Sequence, residues 1–363
     1  MNKKLISVTM VLCLFLLSII SINTTVGKGN VNFLEGDVLY VGGTGPENYS
    51  CVQYAIKNSS EGDTIFIYNG TYQYNSLFGS INKSISIVGE DKTTTIIDGL
   101  TGIDVFVINI SNVIICNLTI TRGRCAINVY NSSEGTYISD NVLKNHSEAA
   151  IVLNQADGTL INNNQIIENN IGILSGWDVK NSIISKNFIS DNVVGIFLKS
   201  SYSNLIDDNI ISKNSQQGIL FDNMYHKPTN NKITDNEINN NNIGIEFIDS
   251  EKNYITDNII NENEECGIKF SKSSNSNKIK LNSISNNSGY GICLESSKLN
   301  LINKNYFYNN TKNAYFKDCK FNIWLRNFWN RPRFLPYIIK GEKTTLFNKT
   351  RNKRNIDFFP LRH

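Results

Sequence analysis

Ile233-Thr-Asp-Asn236-Glu-Ile238-Asn-Asn-Asn241-Asn-Ile-Gly244-Ile245 is followed, after nine residues, by Ile255-Thr-Asp-Asn258-Ile-Ile260-Asn-Glu-Asn263-Glu-Glu-Cys-Gly267-Ile268. The two stretches share one pattern: Ile, two residues, Asn, one residue, Ile, two residues, Asn, then Gly-Ile. It recurs from about Val113 to Trp329. Its first Asn falls at Asn117, Asn141, Asn164, Asn187, Asn209, Asn236, Asn258, Asn282, Asn305 and Asn327, at intervals of 22 to 27 residues. The Ile three places earlier is unbroken from Ile138 to Ile302. A period of this size, repeated this often, specifies a solenoid whose coils stack over a continuous core.

Residues two apart share one face of a strand. Ile219 with Phe221, and Ile268 with Phe270, therefore form inward pairs after each Gly landmark. A further inward set, from Leu143 through Ile238 to Phe307, lies two places after each first Asn. Each coil thus reads as about three short strands joined by polar corners. A leucine-rich repeat has a similar period and an Asn ladder, but here Ile replaces Leu and no coil has room for a helix. The fold class is all-β: a single-stranded parallel β-helix, with like residues stacked coil on coil.

The ends depart from the repeat. Residues 1–27 read as a signal peptide, or else an uncleaved N-terminal anchor: Lys3 and Lys4 precede an apolar run too short for a comfortable membrane span. No later segment is apolar enough to cross a bilayer. Residues 37–110 form the N-terminal cap and first coils, where Ser50 with Gln53 suggests a capping box and Val52, Ala55 and Ile56 share a helical face. Residues 111–330 are the repeat, and 331–363 a basic C-terminal cap or tail. From Lys320 to His363 there are 11 Lys and Arg against Glu342 and Asp357, about +9; with +3 overall, the remainder is about −6. Such a balance points to no nucleic-acid partner. A basic end suits an acidic glycan or headgroup surface, or simple solvation.

Cys13 lies in the signal, which leaves Cys51, Cys116, Cys125, Cys266, Cys293 and Cys319. An even count in an exported chain invites a disulfide framework. The repeat register argues against it, because Cys125 and Cys266 are six coils apart. Cys266 and Cys293 sit on adjacent coils but in registers of opposite parity, so they should face opposite ways. Free thiols are expected.

Gly62-Asp-Thr-Ile-Phe-Ile-Tyr-Asn-Gly-Thr-Tyr72, Lys83-Ser-Ile-Ser-Ile-Val-Gly-Glu90 and Ile96-Ile-Asp-Gly99 resemble the opening of pectin-lyase-like proteins. With the Asn and Gly-Ile coils, residues 37 to 330 are similar to the NosD-type family of carbohydrate-binding and sugar-hydrolase (CASH) domains. The resemblance implies a right-handed coil and export. Its members include enzymes, binding modules and a periplasmic copper-site maturation factor, so it implies no single activity.

Glycoside hydrolysis needs clustered carboxylates, and lyases of this fold typically use an Arg or Lys base. No Arg occurs between Arg124 and Arg326, and the paired-Asp and Gly-His-Gly signatures of polygalacturonases are missing. His146 falls at an Asn-ladder position, which suits a structural role. Copper transfer needs convergent Met, His or Cys, and Met224 with scattered histidines supplies no such set. We find no catalytic set and expect no cofactor. One exception is weighed: Asp208, Asp235 and Asp257, with Asp140 further back, each precede a ladder Asn. Like charges about 5 Å apart repel by roughly 1 kcal/mol in water, so either water screens them or Ca²⁺ lies between them.

The coil between Gly218 and Gly244 carries an insertion around Asn223-Met-Tyr-His-Lys-Pro-Thr229. Counting from each Gly places Trp177, Tyr202 and Tyr225 on successive coils, beside Asp178 and His226. Such a strip suits stacking on sugar rings; ordinary turn packing is the alternative. We therefore read the chain as a secreted or cell-surface β-helix, a non-catalytic binder whose partner is a polysaccharide or surface glycan. The alternatives are a polysaccharide lyase or hydrolase, and a structural adhesion component.

Overall fold

The computed structural model describes residues 36–360 apart from 75–79, 131–133, 332–334, 345–349 and 358. The signal segment, Cys13, Pro332 and His363 lie outside the described residues. Strands too short to bury Ile alone gain a core only by stacking, and they do so as three parallel sheets. The first sheet has 13 strands, from Val38–Val41 to Ile323–Leu325. The second has 12, from Gly70–Tyr74 to Phe328–Trp329. The third also has 12, from Phe106–Ile108 onward, and ends in the antiparallel hairpin Tyr337–Thr344 and Thr350–Asp357. The solenoid expected from the period is the observed fold.

Like residues lie over one another. Ile233 pairs with Ile206 and Ile255, Ile238 with Ile211 and Ile260, and Ile245 with Ile219 and Ile268. All are fully buried. Phe221, Phe247 and Phe270 stack with ring centroids 4.8 Å apart at 10° and 5°, so coil spacing and ring stacking coincide.

The buried corners are the most constrained positions. Asn236 donates its backbone N–H (3.0 Å) and its Nδ2 (3.0 Å) to Asn258 Oδ1 on the next coil. The same Nδ2 donates to Ile206 O (2.9 Å) and Thr234 O (2.7 Å). In turn its Oδ1 accepts from Asn209 N and Nδ2. Every polar atom of the buried amide is thereby paired. A second ladder runs from Asn169 through Asn192, Asn214, Asn241, Asn263 and Asn287 to Asn310, and a third from Asn204 through Asn231, Asn253, Asn277 and Asn300 to Asn322. The Gly landmark serves the second ladder: a Cβ on Gly244 would lie 2.5 Å from Gly267 O and 3.0 Å from Asn263 Nδ2.

Three details differ from expectation. Ile138 pairs with Ile115, which puts Asn141 over Leu118, whose N–H donates to Asn141 Oδ1 (3.1 Å). Asn117 is therefore one residue out of register, with a left-handed φ of 59°, and that ladder starts at Asn141. The helix α1 (Val52–Asn58) buries Val52, Ala55 and Ile56, but its N-cap is Cys51 without a side-chain bond. Gln53 donates instead to Gln73 O (3.2 Å), so no capping box forms. The six described cysteines are free, yet Cys266 and Cys293 share one outer face with Ile243 and Tyr290. A Cβ on Gly267 would lie 3.0 Å from Ile284 Cγ2, so Gly267 and Ile268 both face the core, and the alternation that would separate the thiols breaks there.

Two residues that are not Asn end the ladders. His146 starts the second: its Nδ1 accepts from Gly123 N–H (3.2 Å) and its Nε2 meets Ile120 O (3.1 Å), taking the places of Oδ1 and Nδ2. Asp357, at the end of the hairpin, closes the first. It accepts from Arg326 N, Asn327 N, Asn327 Nδ2 and Trp329 Nε1 at 2.9 to 3.1 Å. The final strand is an exposed edge bearing Arg351, Lys353 and Arg354, charges that discourage pairing with another chain.

Replacing Ile255 by Ala should cost about 2–5 kcal/mol in urea unfolding; a loss near zero would contradict its inward placement. Burial pushes the His146 imidazole down to about 4, from an ordinary 6.5. A base with a depressed folded pKa contributes fully above 6.5 and loses that contribution as pH falls toward 4. The wild type should lose up to about 3 kcal/mol across that window relative to a His146→Asn variant, which restores the amide. Parallel acid profiles for the two would refute it.

Candidate functional site

The insertion between Phe221 and Thr229 is pinned on both sides. Asn223 Nδ2 donates to Asp249 Oδ2 (2.8 Å), and Lys227 Nζ lies 2.7 Å from Asp249 Oδ1 and 4.0 Å from Glu251 Oε2. Burial alone would raise the Asp249 carboxyl, but the Lys227 ammonium and Asn223 amide outweigh it and hold it below its usual range. Ser200 Oγ accepts the backbone N–H of Tyr225 (2.8 Å) and of His226 (3.1 Å). Pro228 is buried, and Thr229 rejoins the corner between Tyr202 and Glu251. The loop is thus a held platform, and it leaves Met224, Tyr225 and His226 exposed.

The aromatic residues meet differently from the simple count. Tyr202 stacks on Thr229, because the insertion takes up the residues between Phe221 and that position. Held against Ser200, the loop leans back along the rod, and the Tyr225 ring packs against Trp177, with centroids 6.5 Å apart at 58°. Trp177 remains 49% exposed and Tyr225 69%. Partial burial and then a hydrogen bond to the Asp178 carboxylate push the Tyr202 phenol upward. Lys180 Nζ lies 3.3 Å from Asp157 Oδ2, and Asn181 Nδ2 donates to Asp157 Oδ1 (2.8 Å). Two exposed rings beside a Tyr hydroxyl, two carboxylates, an amide and an ammonium make a surface with an apolar centre and a polar rim.

Asp208, Asp235 and Asp257 are exposed corner residues with φ of 53°, 55° and 59°. Asp tolerates that left-handed backbone better than most residues, and the same column elsewhere holds Asn163, Lys186, Leu281 and Lys304. Thr234 and Thr256 hydroxyls donate to Asp235 and Asp257 at 2.7 and 2.5 Å. Among the described residues no three His, Cys, Asp or Glu side chains converge to hold a metal ion.

A second polar cluster is not visible in the sequence. Arg124 donates to Asp104 through Nε (2.9 Å) and Nη2 (2.7 Å), with Nη1 3.4 Å from Glu148 Oε2. Asn128 Nδ2 donates to both Asp104 and the Tyr130 hydroxyl. Asp104 holds the Arg124 guanidinium more firmly charged than usual, the opposite of what a proton-abstracting base needs. Its only signal in the sequence is the pair Arg122 and Arg124; the acidic partners lie 20 and 24 residues away.

Residues 56–227 and 175–345 each match the model of one family, NosD, described as periplasmic copper-binding protein. The chain belongs to the NosD family. Its fold is accordingly the right-handed, pectin-lyase-like β-helix. No curated relative matches the sequence. Among solved structures, the A-module of the Azotobacter vinelandii mannuronan C-5 epimerase AlgE6 is similar at 14% identity and TM-score 0.66, over 77% of this chain and 90% of that one. The DFA-IIIase of Arthrobacter chlorophenolicus A6 follows at 15% and 0.59, over 73% and 83%. The Dettilon tailspike protein gp208 matches at 13% and 0.61, over 87% and 76%. At these identities the likeness is one of fold.

Among the described residues, the donors present do not fit copper. Burial pushes the thiols of Cys116, Cys125, Cys266 and Cys293 upward, Cys293 to about 12, and both ring nitrogens of His146 are engaged in its ladder. Copper needs accessible thiolate, thioether or neutral imidazole ligands that converge. Met224 and His226, exposed on the loop, are the remaining soft donors near one another in the described chain.

Proposed function

We propose that this protein is an exported, non-catalytic glycan-binding module, and that Trp177 and Tyr225 stack on sugar rings of a polysaccharide or surface glycan. The observation that carries this is the exposed ring pair on a loop held by Ser200, Asp249 and Glu251. Exposed apolar rings with a polar rim mark interaction surfaces, and a pinned loop orders little on binding, so more of the contact energy is kept. Tyr202, Asp178 and Lys180 supply hydrogen bonds for hydroxyls, and His226 extends the rim. The relatives in fold include an epimerase of mannuronan, which supports a glycan over other ligands. A periplasmic or extracellular location is in keeping with the family's description, and no helix among the described residues is long and apolar enough to cross a membrane.

On a glycan array, Trp177→Ala and Tyr225→Ala should each weaken binding by about tenfold or more, while leaving stability within about 0.5 kcal/mol. Unchanged binding in both variants would rule the strip out, and release of products from a bound polysaccharide would refute the non-catalytic part.

A further inference from the structure

Just past the third corner, the outer face of the first sheet carries a shallow cleft of about 480 Å³ lined by Asn230, Lys232, Tyr254, Thr256, Lys278 and Lys280. The register explains why it is basic. Lys232, Tyr254 and Lys278 occupy one outward column on three successive coils, and Thr234, Thr256 and Lys280 the next column. Tyr254 is 41% exposed, and Lys278 Nζ lies 5.0 Å from its ring centroid, so the ring holds one face of the cleft while orienting a cation over it. Among the described residues, none of the three lysines takes part in an ion pair. Asp207, one coil back, pairs in register with Thr234 and is attracted to Lys232 and Lys186, and at the cleft's edge the Thr256 hydroxyl donates to Asp257, so the lysines outnumber the carboxylate that touches the lining. Three cations around an exposed ring, on a chain of near-neutral total charge, are a local anion-attracting site.

The cleft continues the aromatic strip. Thr229, which ends the inserted loop, lies three residues before Lys232 on the same coil. From the coil of Trp177 to that of Lys278 there are four coil steps, roughly 19 Å at about 4.8 Å each. A chain of several sugars lying along the rod reaches both places. We infer that the cleft is a subsite for the acid groups, carboxylate or sulfate, of a polyanionic glycan whose rings stack on Trp177 and Tyr225. This rests on the glycan-binding reading and narrows it to acidic polysaccharides. Lysine suits such a subsite, because a flexible ammonium can follow successive acid groups of a repeating polymer without the fixed fork geometry of arginine.

The test titrates the full chain with polygalacturonate, with heparin and with a neutral galactan, using the wild type, a Lys278→Glu/Lys280→Glu variant and Trp177→Ala. The wild type should prefer a polyanion to the galactan, and its binding should weaken as salt rises. Charge reversal should weaken that polyanion by about tenfold and leave the galactan unchanged, whereas Trp177→Ala should weaken both. The better polyanion tells carboxylate from sulfate. If the reversed variant holds polyanions as well as the wild type, the subsite is overturned while the stacking strip stands. If the wild type binds no glycan, the broader reading fails first. Lysine-dependent binding confined to nucleic acid would overturn the inference as well. Circular dichroism matching the wild type confirms that the variants, changed only on an outer sheet face, are folded.

Discussion

The structure depends on one constraint: a buried amide at each corner must find its partners on the coils above and below. A coil turning three times per circuit brings backbone groups into the interior where strands stop pairing, and buried N–H and C=O groups left unpaired cost roughly 1–3 kcal/mol each. Asn is suited to the corner because one side chain offers an acceptor and two donors. In Asn236 and its equivalents, all are used, linking three coils at once. From this follows the period, because an amide one residue out of place, as at Asn117, cannot join the column. The left-handed residue just before each first-corner Asn, and the Gly that clears space at the second, are further consequences.

The same constraint fixes the ends. A ladder that stops leaves its last members unpaired, and at two of the ends a different group takes over. An imidazole does this at His146 by presenting one acceptor and one donor at the amide's positions, and a carboxylate does it at Asp357 by accepting four N–H groups. The basic C-terminal segment thus contains the acid that closes the first ladder. Trp329 stacks on Tyr337 at 4.2 Å beneath it, which seals the apolar interior.

The rod is legible in the sequence because its period is carried by residue types with one physical role each. Ile means inside and Asn-before-Ile means corner, and the match from Ile138 to Ile302 needs no partner beyond the repeat itself. Departures set by three-dimensional neighbours are not legible. The position of Tyr225 escapes a count along the chain because the loop's path depends on Ser200, Asp249 and Glu251, none of which signals the contact locally. The Arg124 cluster is hidden because its partners are a coil away on either side. Simple alternation places the thiols of Cys266 and Cys293 on opposite faces, but alternation fails across the Gly-Ile bend and the two share one face.

The most direct measurement compares urea unfolding of Asn236→Ala with that of Asn239→Ala, three residues along the same coil. Asn236 is buried and bonded to both neighbouring coils, while Asn239 is half-buried and its Nδ2 reaches only Glu237, at 2.7 Å. Loss of the ladder amide strands Asn209 donors and the Ile206 carbonyl, so Asn236→Ala should lose about 2–4 kcal/mol and Asn239→Ala less than about 0.5. Equal, small losses at the two positions would contradict the account.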